Sequence, residues 1–154
     1  MKKVLIILFL LLLLWACDDS YTSEQSNYNI SNQEIGSIKE YINNHLIKPI
    51  KDGEVHSAIE ILGSNTTNKE IYIWVIAQEF YLEGGSQKRT SGVSLPVVLE
   101  VRKEENEFQV LNHKTPGEGN EYLTDVEKMF PKEIRERIKD YDTTELTKRL
   151  EDQN

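Results

Sequence analysis

The chain has 154 residues, 26 of them acidic against 18 basic, with three histidines and a single cysteine. A net charge of −8 argues against nucleic acid or an anionic lipid surface as a partner. One cysteine excludes an intrachain disulfide, and the length suits one domain rather than two.

Met1, Lys2 and Lys3 precede Val4 to Ala16, a run of 13 residues without a charge. A basic head, a short apolar stretch and a small residue before a break form the layout of a secretory signal. The run is too short to span a bilayer, which takes about 20 apolar residues. It ends in Leu14-Trp15-Ala16-Cys17, followed by Asp18 and Asp19. This segment resembles the lipobox of bacterial lipoproteins; Leu14 and Ala16 match the pattern, while Trp15 is bulkier than usual at its position. The resemblance implies cleavage between Ala16 and Cys17 and a diacylglyceryl (palmitate-type) anchor on the Cys17 sulfur. It also implies residence at the cell membrane, facing away from the cytoplasm. Two acyl chains suit stable anchoring, since one alone binds a membrane only reversibly.

Residues 1–16 hold two of the basic residues and none of the acidic ones, so the remaining 138 residues carry −10 instead of −8. That charge reads as a solvated surface that keeps a crowded, tethered domain soluble. Residues 17–31 are expected to be the anchored cysteine and a flexible tether, because Asp18 to Ser31 is polar and lacks any period. Fourteen such residues reach at most about 50 Å, so the domain is expected to work close to the membrane.

Ser31-Asn32-Gln33-Glu34 has capping-box spacing, and Ile35, Ile38, Ile42 and Leu46 follow at helical intervals. Pro49 and Asp52-Gly53 close this helix. Four strands are predicted next, over Val55–Leu62, Glu70–Leu82, Leu95–Val101 and Phe108–His113. The stretch from Gly84 to Gly92 reads as a loop. Short connections favour antiparallel pairing. Tyr122, Val126, Met129 and Phe130 share a helical face, Pro131 interrupts, and Ile134, Ile138 and Tyr141 resume the spacing. The expected architecture is α+β: an N-terminal helix, a four-stranded antiparallel meander and C-terminal helices covering one sheet face. A single domain over 32–142 would be followed by a charged helical tail, 143–154, short or frayed. The SLPVVLEV and EYLTDVEKMFPKEI segments also resemble a recurrent small domain of Gram-positive lipoproteins, a resemblance that implies no activity.

Chemistry is sparse. His45, His56 and His113 show no ligand spacing, and nothing implies a metal or cofactor. Gly92-Val93-Ser94-Leu95-Pro96 lacks the second glycine and the following helix of a nucleophile elbow. Gly84-Gly85 lacks the helix and lysine of a phosphate loop. Glu79, Glu83 and Glu100, with Glu60 as a further member of the same sheet face, are the best acid–base set, and they support the alternative reading of an envelope hydrolase. The preferred reading is a non-enzymatic binding, sensor or accessory module with an envelope protein as partner. Its candidate surface is Lys88 and Arg89 at a loop tip together with the aromatic row Tyr72, Trp74 and Phe80. The default reading of that row is nevertheless core, with an open patch as the alternative.

Overall fold

The computed structural model describes residues 27–105 and 107–153; Ala16, Cys17 and most of the tether lie outside the described residues. The expected order of elements is found. Helix α1 (Asn32–His45) leads into a sheet of β1 (Glu54–Asn65), β2 (Glu70–Glu83), β3 (Ser86–Glu104) and β4 (Glu107–Lys114). The strands run antiparallel in the order β1-β2-β3-β4. Three helices follow: α2 (Tyr122–Met129), α3 (Lys132–Lys139) and α4 (Thr144–Glu151).

Local chemistry accounts for the boundaries. The capping box is present: the Ser31 hydroxyl accepts from the Glu34 amide, and a Glu34 carboxylate oxygen accepts from the Ser31 amide at 2.7 Å. Gly84 and Gly85 sit at φ +62° and +78°, the left-handed pair that a two-residue hairpin turn requires. The chain therefore reverses at once, and Glu83 faces Ser86. The stretch expected to be a loop up to Gly92 is instead the first half of β3. Its polarity has a physical reason: residues 82–90 are exposed on a ribbon that runs out past the start of β1 at Glu54, the partner of Phe80.

Helices cover both faces of the sheet, not one. On the first, Ile38 and Ile42 of α1 pack against Ile59, Ile71, Ile73, Val75, Val97 and Leu99. On the second, Val126, Phe130, Ile134, Ile138, Leu146 and Leu150 pack against Ala58, Leu62, Tyr72, Trp74, Phe80 and Val98. A bulge at Leu62 in β1 helps to feed the second face. It turns Gly63 toward α3, where a Cβ would stand 2.6 Å from the Ile134 side chain. Each buried aliphatic side chain contributes about 1.5–3 kcal/mol, so both layers matter. The C-terminal tail takes part: Leu146 is 0% exposed and Leu150 5%. At the other terminus, Tyr28 and Ile30 pack against the α1 face, and the Tyr28 amide donates to the Ser64 hydroxyl at 2.7 Å.

Candidate functional site

The aromatic row is core. Tyr72 is 1% exposed and Phe80 5%, and the Tyr72 hydroxyl donates to Glu70 at 2.9 Å. Trp74 differs, because it lies under the junction of α2 and α3. Its indole N–H donates to the Ser94 hydroxyl at 3.1 Å, and its ring stacks on Tyr141 with centroids 4.4 Å apart and planes 12° from parallel. Tyr141 follows α3, and its hydroxyl donates to Glu60 at 3.0 Å. Burial, then the Glu60 hydrogen bond, pushes the phenol far above its ordinary range. Arg149 and Arg137 hold the same carboxylate from α4 and α3, at 3.4 and 3.9 Å. Two rings and a fixed hydrogen bond thus make a rigid floor.

Above that floor α2 and α3 diverge, because Pro131 is extended (ψ 156°) and breaks the helix between them. The result is a cleft of about 660 Å³ with Trp74, Tyr122, Leu123, Val126, Ile138 and Tyr141 as its apolar lining. That volume lies within the range of small-ligand sites. Leu123 is 74% exposed at the rim. Lys132, Arg135, Glu136 and Lys139 line the α3 side, and Glu127 lines the α2 side. The α3 residues escaped the sequence reading, which followed only Ile134 and Ile138. Their signal was present as a basic row at i, i+3 and i+7, on the flank of that helix beside Ile138.

The candidate carboxylates are not brought together. Glu79 points to the α1 face, is 0% exposed, and accepts hydrogen bonds from the amides of Ile50 (2.8 Å), Lys51 (2.7 Å) and Gly53 (3.1 Å) and from the Ser91 hydroxyl (2.8 Å). Burial alone would raise its pKa. The donors, led by Ile50 and Ser91, outweigh burial and lower it to about 2. Such a group stays ionised and is fully occupied in fastening the segment before β1 to the sheet. Glu83 is exposed beside the hairpin turn. Glu100 pairs in register with Glu70, nine residues from Glu79 along β2, or roughly 30 Å at strand rise. Its side chain holds Lys114 at 2.5 Å, which keeps its pKa low. Glu60 faces the helices with Trp74, on the opposite side from Glu79.

Lys88 and Arg89 lie in β3 opposite Tyr81 and Phe80. Lys88 is exposed. Arg89 pairs with Glu151 at 3.4 Å and rests 5.5 Å from the centre of the Phe80 ring. The histidines are dispersed. His45 bonds the Tyr41 carbonyl at 2.8 Å, His56 stands edge-on to Phe80, and His113 meets the Tyr41 hydroxyl at 3.1 Å. Burial, and then the neighbouring His45, lower the His113 pKa. Among the described residues no three histidine, cysteine or acidic side chains are grouped as metal ligands.

Compared with protein-family models, with curated proteins and with solved structures, the chain gives no match in any of the three.

Proposed function

We propose that the chain is a lipid-anchored module of a bacterial cell envelope, held to the membrane through Cys17, and that it works by binding through the cleft between α2 and α3. The preformed cleft, floored by the stacked Trp74 and Tyr141, carries the binding part of this reading. The leader and its single cysteine support the anchored part.

The disposition of the domain is consistent with tethering. Tyr28 sits beside Ser64 near the end of β1, while the β2–β3 hairpin occupies the opposite end of the sheet. From Cys17 to residue 27 the chain reaches at most about 35 Å, less than the roughly 45 Å length of a 14-residue strand such as β2. Standing on its tether, the domain presents Lys88 away from the bilayer and the cleft to the side.

The test is to produce the full chain in a bacterium and weigh its N-terminal peptide. A diacylglyceryl cysteine at position 17 and recovery with membranes are expected, both abolished by Cys17→Ser. A photo-crosslinking residue at Leu123 is expected to give a discrete adduct that the same residue at Leu111, exposed on β4, does not. A free Cys17 thiol would sink the anchored reading; identical labelling from Leu123 and Leu111 would sink the cleft.

A further inference from the structure

One arginine at the cleft is held differently from the others. Among the described residues, Arg89, Arg102, Arg137 and Arg149 each form an ion pair with a glutamate. Arg135 is the exception. One of its terminal nitrogens donates to the main-chain carbonyl of Glu127 at 2.9 Å, a bond that fixes the guanidinium at the rim without cancelling its charge. Lys132 and Lys139 line the same wall, and neither is in an ion pair among the described residues. Glu127 and Glu136 also line the cleft, yet no ion pair joins them to these three cations. The α3 side of the lining therefore carries three cations against the single carboxylate of Glu136, a local positive field beside an apolar floor in a chain with eight more acidic than basic residues. Low-dielectric walls focus such a field.

From this geometry we infer that the cleft takes a small amphipathic anion. Its apolar body lies against Trp74, Val126 and Ile138, and its carboxylate or phosphate head meets Arg135, flanked by Lys132 and Lys139. The inference rests on the reading of this cleft as the binding site. A guanidinium held in place by a carbonyl keeps donors free for a two-pronged contact with such a head. Volume decides against a large ligand: about 660 Å³ holds one chain or ring system, not a folded partner.

The full chain, placed in nanodiscs of uncharged phosphatidylcholine, is dialysed against octanoate and separately against octanamide, with empty nanodiscs as the blank. Octanoate is expected to bind once per chain and at least tenfold more tightly than the neutral amide, with affinity falling as salt rises. The double variant Lys132→Gln/Arg135→Gln is expected to lose at least fivefold for octanoate and nothing for octanamide, at unchanged melting temperature. Arg135→Lys, which keeps the charge but not the planar fork, is expected to lose part of the affinity for octanoate, less than the double variant loses. Equal binding of the two probes, indifference of octanoate to the double variant, or no binding of either probe would each overturn the ligand class. The mass at Cys17 and the Leu123 adduct would still judge the wider reading separately. Where octanoate binds as expected, repeating the Leu123 crosslink in phosphatidylglycerol nanodiscs names the source. A lipid adduct that octanoate displaces points to a membrane amphiphile, and its absence to a free one.

Discussion

The two faces of the sheet are closed by different means, and one glutamate on each shows how. On the α1 face Glu79 is wholly buried and is held by neutral donors alone, three amides and a hydroxyl. On the other face Glu60 keeps 41% of its side chain in solvent and is shared by Tyr141, Arg137 and Arg149. A buried anion depends on every donor, because water cannot replace a lost one. A half-exposed anion with long cationic partners exchanges them for water at little cost. The α1 face is therefore sealed, while the three-helix face is held by adjustable contacts beside the floor of the cleft.

The largest test of this contrast concerns whether the second face is a true core. Leu146 of α4 and Ile42 of α1 are both 0% exposed. If the two faces are equally part of the domain, Leu146→Ala and Ile42→Ala each cost about 2–5 kcal/mol in denaturant unfolding, the range for large-to-small changes in packed cores. A Leu146→Ala variant as stable as the parent would make α4 an appendage and leave Ile42 as the sole indicator of the core.

Next in size is Glu79→Gln. The amide NH₂ must replace one carboxylate oxygen, and either oxygen faces two donors. We expect the melting temperature at pH 7 to fall by roughly 10 °C. The pH dependence carries the sharper information. Glu79 has its pKa lowered from 4.5 to about 2, so its stabilisation is fully present above about 4.5 and is lost as pH falls through about 2. The gap between parent and variant should therefore be constant from pH 7 to 5 and shrink below 4.5. A gap that stays constant down to pH 2 would falsify the buried-anion account.

Glu79 also marks the limit of what was legible in the sequence. The helix, four strands and helix breaks follow from period and punctuation: the Ile35, Ile38, Ile42 spacing, the β-branched run of β2, and Pro131. Those signals are local. Glu79 looks like any strand glutamate, since the donors that bury it come from Ile50, Lys51, Gly53 and Ser91, and only the fold assembles them. Polarity misled in the same way at residues 86–92, where a hairpin ribbon exposed on both sides has the composition of a loop. The tail from Thr143 is polar or charged at ten of its twelve positions, and two leucines four apart were its only sign of burial. The cleft needs Trp74 of β2 under Arg135 of α3, a juxtaposition that no spacing encodes. The Trp74–Tyr141 stack was likewise invisible, although each residue was noted singly.

A smaller effect is expected from Tyr141→Phe. It removes the hydroxyl bond to Glu60 and leaves the ring stacked on Trp74, a loss of about 1 kcal/mol in which Arg149 keeps the carboxylate paired. Tyr141→Ala removes the stack as well and should cost about 3 kcal/mol or more. In a Trp15→Phe background, where Trp74 is the remaining tryptophan, its emission should move to the red in Tyr141→Ala and stay in place in Tyr141→Phe. If Tyr141→Phe proved as damaging as Glu79→Gln, Glu60 would be as indispensable as its buried counterpart and the contrast between the faces would vanish.

Smallest of all should be Arg89→Ala. Its ion pair with Glu151 is half exposed on both sides, and its position over Phe80 adds a cation–π contact of comparable size. Exposed contacts of these two kinds contribute together about 1 kcal/mol at most. Salt separates the parts, because the ion pair is screened while the packing of the arginine stem on the ring is not. In low salt, Arg89→Ala should lower stability measurably more than Glu151→Gln. At high salt the Glu151→Gln effect should disappear and part of the Arg89→Ala effect should survive. An Arg89→Ala loss as large as that of Glu79→Gln would show that the exposed end of the hairpin is fastened as firmly as the buried segment around Glu79. Loss of adjustable contacts would then be costly on the three-helix face as well, and the distinction drawn from Glu60 would have to rest on exposure alone.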